Sequence, residues 1–304
     1  TDFVGLLHQG AQIAQSNLAG SWLLTGVNDA DVQAAAQEAI KTEEPWNLAR
    51  LAYAVRGYPK LLSAFDPVIV DAVEIFHQAK RENGRDISRQ FAVFAVGVSK
   101  SEMLRGHLPE DMVRDAADYL AEYSGIPPFA RDQLGEYDTD LNDGFTPLWG
   151  LLLAARDDQR LCAAIDPQNV GKLALSMLEV GRERIQSHET SEGYPVWVDK
   201  GFEHFGQFAE DMRTAPTSWK AAIADQTCAF LEAGSYASYG HSDSRPAMLL
   251  GPIASRISYL VDVPRFRELV QNLMEGEVDH KRLNILRDIL GSLRKAPHLQ
   301  QEIF

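Results

Sequence analysis

The chain has 304 residues, 45% of them hydrophobic and 24% charged, an ordinary globular composition that excludes extended disorder. Its formal charge of −14 counts against a surface given over to nucleic acid or anionic lipid. The longest apolar run, Phe91 to Val98, is far shorter than the ~20 residues that span a bilayer, so no membrane insertion is expected.

Helical punctuation then recurs in chain order. Asn28 or Asp29 is placed to cap a helix through the Ala-rich stretch to Ile40, and Glu43-Glu44-Pro45 ends it and opens the next. Leu48, Leu51, Ala52 and Val55 form an i, i+3, i+4, i+7 stripe, broken by Gly57-Tyr58-Pro59. Asp66-Pro67 reads as an N-cap with proline at the first helical position, feeding a helix that Asn83-Gly84 stops. Residues 87–104 are apolar enough for a central helix, and Pro109-Glu110 begins another that runs through Leu120. After the Asp-, Gly- and Pro-rich stretch 129–147, helices are expected over 148–156, 167–186, 202–212, 218–233, 247–260, 264–274 and 281–293. Tyr194-Pro195-Val196-Trp197-Val198 is the one strand candidate, and Pro195 weakens it. The expected fold class is therefore all-α, a multi-helix array in a single domain over 1–304.

One stretch repeats at a distance. Shifting residues 48–70 by 100 matches nine of 23 positions, among them Leu51/Leu151, Arg56/Arg156, Asp66/Asp166 and Pro67/Pro167. This suggests a duplicated helical-repeat, solenoid-like unit, with pseudo-repeat halves at 45–135 and 145–245 and a C-terminal helical segment at 246–304. The matched residues are those that build a helix pair, so the similarity is a statement about architecture. Arg56 and Arg156 would then occupy equivalent places, lining a groove or, more simply, pairing with a neighbouring helix.

Chemistry is harder to find. The phosphate-cradling GxxxxGKS/T, the dinucleotide GxGxxG and the GxSxG nucleophile elbow are all missing, and no cofactor is expected. Asp138, Asp140 and Asn142 stand at alternate positions, as oxygens do at the opening of a calcium-binding EF-hand loop. That likeness fails at Asp143, where the loop needs Gly, and at Trp149, where it needs Glu, so no metal is assigned. Asp143-Gly144-Phe145-Thr146-Pro147-Leu148 contains a Thr-Pro-Leu that resembles the opening of an ankyrin repeat, but the 33-residue period does not follow. Thr-Pro-Leu is read instead as a cap, an N1 proline and an apolar anchor.

Residues 188–211 hold the second polar cluster. His188, Glu189, Glu203 and His204 are the candidates for acid–base or metal chemistry, although no two imidazoles have the spacing that shares a helical face. Trp197, Phe202 and Phe205 lie among them, and aromatics with a polar rim make interface anchors.

The favoured expectation is a non-catalytic helical scaffold that binds a protein partner. The first alternative is an all-α enzyme with its site at 188–211. The second is a helical protein that sequesters single-stranded nucleic acid through some of Arg81, Arg85, Arg89, Lys281, Arg282 and Arg287, which the acidic balance disfavours. Only two cysteines, both in apolar helical context, and no leader-like segment at Thr1–His8 lead to the expectation of a cytoplasmic protein.

Overall fold

The computed structural model describes residues 27–83, 86–124, 146–188, 200–234, 258–260 and 263–275, with positions 283, 287, 290, 291, 293, 294, 297, 300 and 301 beyond them. Every regular element among these residues is helical, so the expected all-α class holds. The candidate strand at 194–198 lies outside the described residues.

The chain divides into two compact units, residues 1–166 and 167–304. In the first, α1 spans Asp29–Lys41, α2 Pro45–Val55, α3 Pro59–Leu62, α4 Ile69–Asn83, α5 Asp86–Val98, α6 Glu102–Arg105, α7 Glu110–Ser124, α8 Thr146–Ala155 and α9 Gln159–Ala164. Asn28 caps α1 by a reciprocal pair, its Oδ1 accepting from the Asp31 N–H at 2.9 Å while Asp31 Oδ2 accepts from the Asn28 N–H. Glu43 turns the chain with φ 55° before Pro45 starts α2. The helix expected over 87–104 is two helices, because the chain turns at Ser99-Lys100 and restarts under Ser101, whose hydroxyl accepts from the Leu104 N–H.

Helices α2, α5 and α8 lie side by side. The α2–α5 pair is the most extensively packed in this unit, and α8 packs on the other side of α5. They approach closely because small residues meet: a Cβ on Gly97 would stand 2.5 Å from the Ala52 carbonyl carbon, and one on Gly150 2.8 Å from Val96 Cγ2. Gly97 and Ala52 both sit near the C-terminal ends of their helices, so two helices in contact along their length must run in the same direction. A second row covers them, α4 packing on α2 and α5, and α7 on α5 and α8. Phe65, Phe76, Phe91 and Phe94 fill the space between, with ring centroids 4.9 to 6.1 Å apart.

The same local order occurs three times in this unit: a long helix, a three-residue turn and a short helix. Burial follows it. Leu48, Phe91 and Leu148 are buried at equivalent places, as are Leu51, Phe94 and Leu151, then Leu61, Leu104 and Leu161, and last Phe65, Leu108 and Ile165. Between 48–67 and 148–167 the burial pattern differs only at 49/149, 60/160 and 67/167. The middle copy, over 91–108, shares this pattern with little identity.

In the second unit α10 spans Pro167–His188, α11 Lys200–Asp211, α12 Thr217–Gly234 and α13 Val263–Glu275. Helix α10 packs on α11 and α12, with Trp219, Phe205, Phe208 and Met212 buried. The Tyr259 hydroxyl donates to the Ala209 carbonyl, and Arg265 pairs with Asp225 across α12 and α13.

One expectation needs correction. Asp66 does not cap the helix after it: its backbone is αR, its N–H bonds the Ser63 carbonyl at 3.0 Å, and α4 begins only at Ile69. Pro67 sits in the intervening turn, where the 3-10 turn over Ser63–Phe65 has already carried the chain round. Asp166, by contrast, stands immediately before Pro167 at the start of α10. The boundary between the two units falls between Asp166 and Pro167, with α8 and α9 packed on α5 and α7.

Candidate interaction edge

Three turns follow the long helices of the first unit: Arg56-Gly57-Tyr58, Ser99-Lys100-Ser101 and Arg156-Asp157-Asp158. Each leads into a short helix, and each short helix starts by a different chemistry. Pro59 provides a fixed φ for α3, the Ser101 hydroxyl caps α6, and Asp158 Oδ1 caps α9 by accepting from the Arg160 and Leu161 N–H groups at 3.0 and 3.2 Å.

Arg56 and Arg156 do occupy equivalent turns, but their surroundings differ. The Arg56 guanidinium lies over the Tyr53 ring, 3.5 Å from its centroid, and donates to the Tyr53 carbonyl. Arg156 Nε stands 3.7 Å from Asp157 Oδ1.

The most connected side chain at this edge is one that sequence reasoning passed over. Arg160 donates from Nη1 to the Leu108 carbonyl at 2.7 Å and from Nη2 to the Gly106 carbonyl at 3.3 Å, and Glu110 Oε1 lies 3.7 Å away. A guanidinium from one copy thus satisfies carbonyls left unpaired at the end of the previous short helix. Arg114 answers it from α7, donating to the Ala164 carbonyl at the end of α9. Arg105 Nε is buried without a hydrogen bond, with Asp158 Oδ2 at 3.7 Å. The only sequence signal for these roles is the Arg160/Lys60 agreement in charge, which says nothing about carbonyls fifty residues away.

Cys162 sits under this junction, its Sγ donating to the Ala155 carbonyl at 3.1 Å. Burial, then the nearby Asp158 and Asp157 carboxylates, push its thiol up from 9.0 to about 11. It is a protonated, unreactive thiol at neutral pH.

Two apolar side chains of this unit are well exposed. Val70, in the first turn of α4, is 64% exposed, and Met103, on α6, is 51% exposed.

The remaining sequence candidates fall elsewhere. Phe205 is fully buried, so it belongs to the core of the second unit and is no surface anchor. Its helix carries Phe205, Phe208, Ala209 and Met212 on one face, and that face is the one packed inward. Glu189, Trp197, Asp138, Asp140, Asn142, Arg85, Lys281 and Arg282 lie outside the described residues, and of His188, Phe202, Glu203 and His204 only the helical backbone is described. Arg81 and Arg287 are exposed and Arg89 is half-buried. Among the described residues no three His, Cys, Asp or Glu side chains gather as a metal site, and no helix is long and apolar enough to cross a membrane.

Compared with protein families, curated proteins and solved structures, the chain matches none.

Proposed function

We propose that the first unit is a tandem helical-repeat scaffold that holds a protein partner along the edge formed by its three turns. The observation that supports this most is the recurrence of one buried pattern at three places, on helices of which α2 and α8 both pack on α5. Stacked units of that kind align their turns into a continuous edge, and such edges and faces serve as binding surfaces. The exposed Val70 and Met103 are apolar contacts of the sort a protein partner covers. Two free, buried thiols fit a reducing, cytoplasmic setting for the same scaffold.

The test is site-specific photo-crosslinking in cells, with the crosslinker placed at Met103, at Val70 and at the exposed control position Glu38. A discrete adduct from Met103 and Val70, missing from the control and lost in a Met103→Asp variant probed at Val70, is expected. Adducts of equal pattern at all three positions, or none at the edge, would overturn the reading. Among the described residues, no geometric observation favours the enzyme or nucleic-acid alternatives.

A further inference from the structure

A different surface lies on the row of α2, α5 and α8 itself. On α2, Leu48, Ala49, Leu51, Ala52, Ala54 and Val55 are buried, while Trp46, Arg50 and Tyr53 are half-buried. At about 100° per residue those three fall within an arc of roughly 60°, one narrow strip left open along the helix. Equivalent places on the neighbouring helices are held by Val96 on α5 and by Gly150 and Leu153 on α8, all half-buried. The strips adjoin. A Cβ on Gly97 would stand 2.7 Å from the Tyr53 nitrogen, and one on Gly150 2.8 Å from Val96 Cγ2.

We propose that this face binds an extended acidic segment of a protein partner, with apolar side chains against Trp46, Val96 and Leu153 and a carboxylate on Arg50. Single exposed apolar residues need no explanation. Here the open positions described on the three helices share a composition: aromatic, aliphatic, amide and arginine, with no lysine and no carboxylate. Interface cores are rich in Trp, Tyr and Arg and poor in Asp, Glu and Lys. The chain supplies the contrast, since its formal charge is −14 and the covering helices expose Asp71, Glu74, Asp111, Asp118 and Glu122. By sequence α2 and α8 contain no acidic residue, and α5 has only Asp86 at its first position. Glu44 and Asp157 stand just outside, beside Asn47 and Arg156. Among the described residues Arg50 makes no hydrogen bond or ion pair, so its guanidinium is open to a carboxylate. Three helices side by side at the usual spacing span roughly 16–20 Å, the length of about six extended residues.

Single-stranded nucleic acid fits less well. It would stack bases on the aromatics, but its phosphates need clustered cations, and Val96 and Leu153 offer no ring. The inference rests on the reading of the first unit as a protein-binding scaffold, and it names a second face and the chemistry of the segment bound there.

The experiment selects a phage-displayed library of random peptides, long enough to span the row, on the full chain, and measures the enriched peptides by fluorescence anisotropy. Enriched sequences should carry Asp or Glu beside Leu, Phe or other apolar residues. Arg50→Glu should weaken them roughly tenfold or more. Selection on that variant should instead enrich Lys or Arg at the same places, which a merely damaged fold would not do. Arg50→Lys should keep most of the affinity, Trp46→Ala should lower it, and Arg81→Glu, at an exposed arginine of α4, should leave it unchanged. No enrichment, enriched peptides without acidic residues, or affinity unaffected by Arg50→Glu overturns the proposal. So does Arg50-dependent retention of a labelled oligothymidylate in place of the peptides, which makes the occupant a nucleic acid. Met103→Asp should leave peptide binding untouched, so failure of this face and failure of the turn reading are told apart.

Discussion

Asp158 does three things at once: it caps α9, stands beside the Arg105 guanidinium and raises the Cys162 thiol. Replacing it by Ala removes a cap, which costs roughly 0.5–2 kcal/mol, and leaves Arg105, 18% exposed, beside no carboxylate. The loss in chemical denaturation should therefore reach the upper end of that range, while Asp158→Asn, which keeps an acceptor for the cap, should lose less. Asp66→Ala should fall within about 0.5 kcal/mol of the parent, since Asp66 is exposed and caps nothing in the following turn. Equal losses at 66 and 158 would contradict this assignment. The thiol gives a second prediction. A thiol whose folded pKa is about 11 instead of 9.0 favours the folded state while both states are protonated. That contribution is complete below pH 9 and disappears as the pH rises toward 11. The Tyr259 hydroxyl, also raised by burial and by Glu210, adds a loss of the same sign above pH 10. Stability measured from pH 8 to 11 should fall, and fall less steeply in Cys162→Ala. At pH 8 the thiolate fraction is lower by a factor of roughly 100, so iodoacetamide should label Cys162, in a Cys228→Ala background, about that much more slowly than the unfolded chain.

At the scale of elements, the crossing of α2 and α5 is the closest contact in the first unit, and it depends on Gly97. An added methyl would meet the backbone of Ala52 and Tyr53 at 2.5 and 2.7 Å, atoms that cannot rotate away. Gly97→Ala should push the helices apart and cost about 1–3 kcal/mol as overpacking, despite the better helix propensity of Ala. Gly57→Ala, at a turn where a Cβ meets nothing within 4 Å, is the matched control and should be neutral or slightly stabilising. If both variants melt like the parent, the close crossing is wrong. The starts of α1 and α2 were legible in the sequence because the cap at Asn28, the N1 proline 45 and the apolar stripe of α2 are local signals, whereas Pro59 reads as a break and opens α3. The turn at Ser99-Lys100 was missed because apolar residues return at Met103 and Leu104 after the four polar positions 99–102, and the Ser101 hydroxyl marks the restart. The middle copy of the recurring pattern was missed for a related reason. Phe91, Phe94 and Leu108 keep the burial of Leu48, Leu51 and Phe65 while changing identity, and an identity match sees only the latter.

For the whole molecule, the contrast lies between halves drawn from sequence similarity and units drawn from packing. Similarity over 48–70 and 148–170 placed a boundary in the polar stretch near 135–145. A short helix pair cannot bury its own apolar face and depends on its neighbours. Here α8 covers α5, Gly150 meets Val96, and Arg160 and Arg114 tie α9 to the loop after α6 and to α7. None of these long-range ties leaves a spacing in the sequence, and neither does the candidate edge, whose Arg160 and Met103 lie far apart in the chain. The prediction follows from what each cut would expose. A fragment of residues 1–166 keeps the row α2, α5, α8 and its covering helices, and should be helical by circular dichroism with a sigmoidal urea transition. A fragment of residues 1–135 loses α8 and α9, uncovering one side of α5 and stripping the Arg160 bonds from the carbonyls of Gly106 and Leu108. It should unfold at clearly lower urea or without a cooperative transition. Should 1–135 prove as stable as 1–166, the first unit ends earlier than its packing says, and the edge built from all three turns loses its third member.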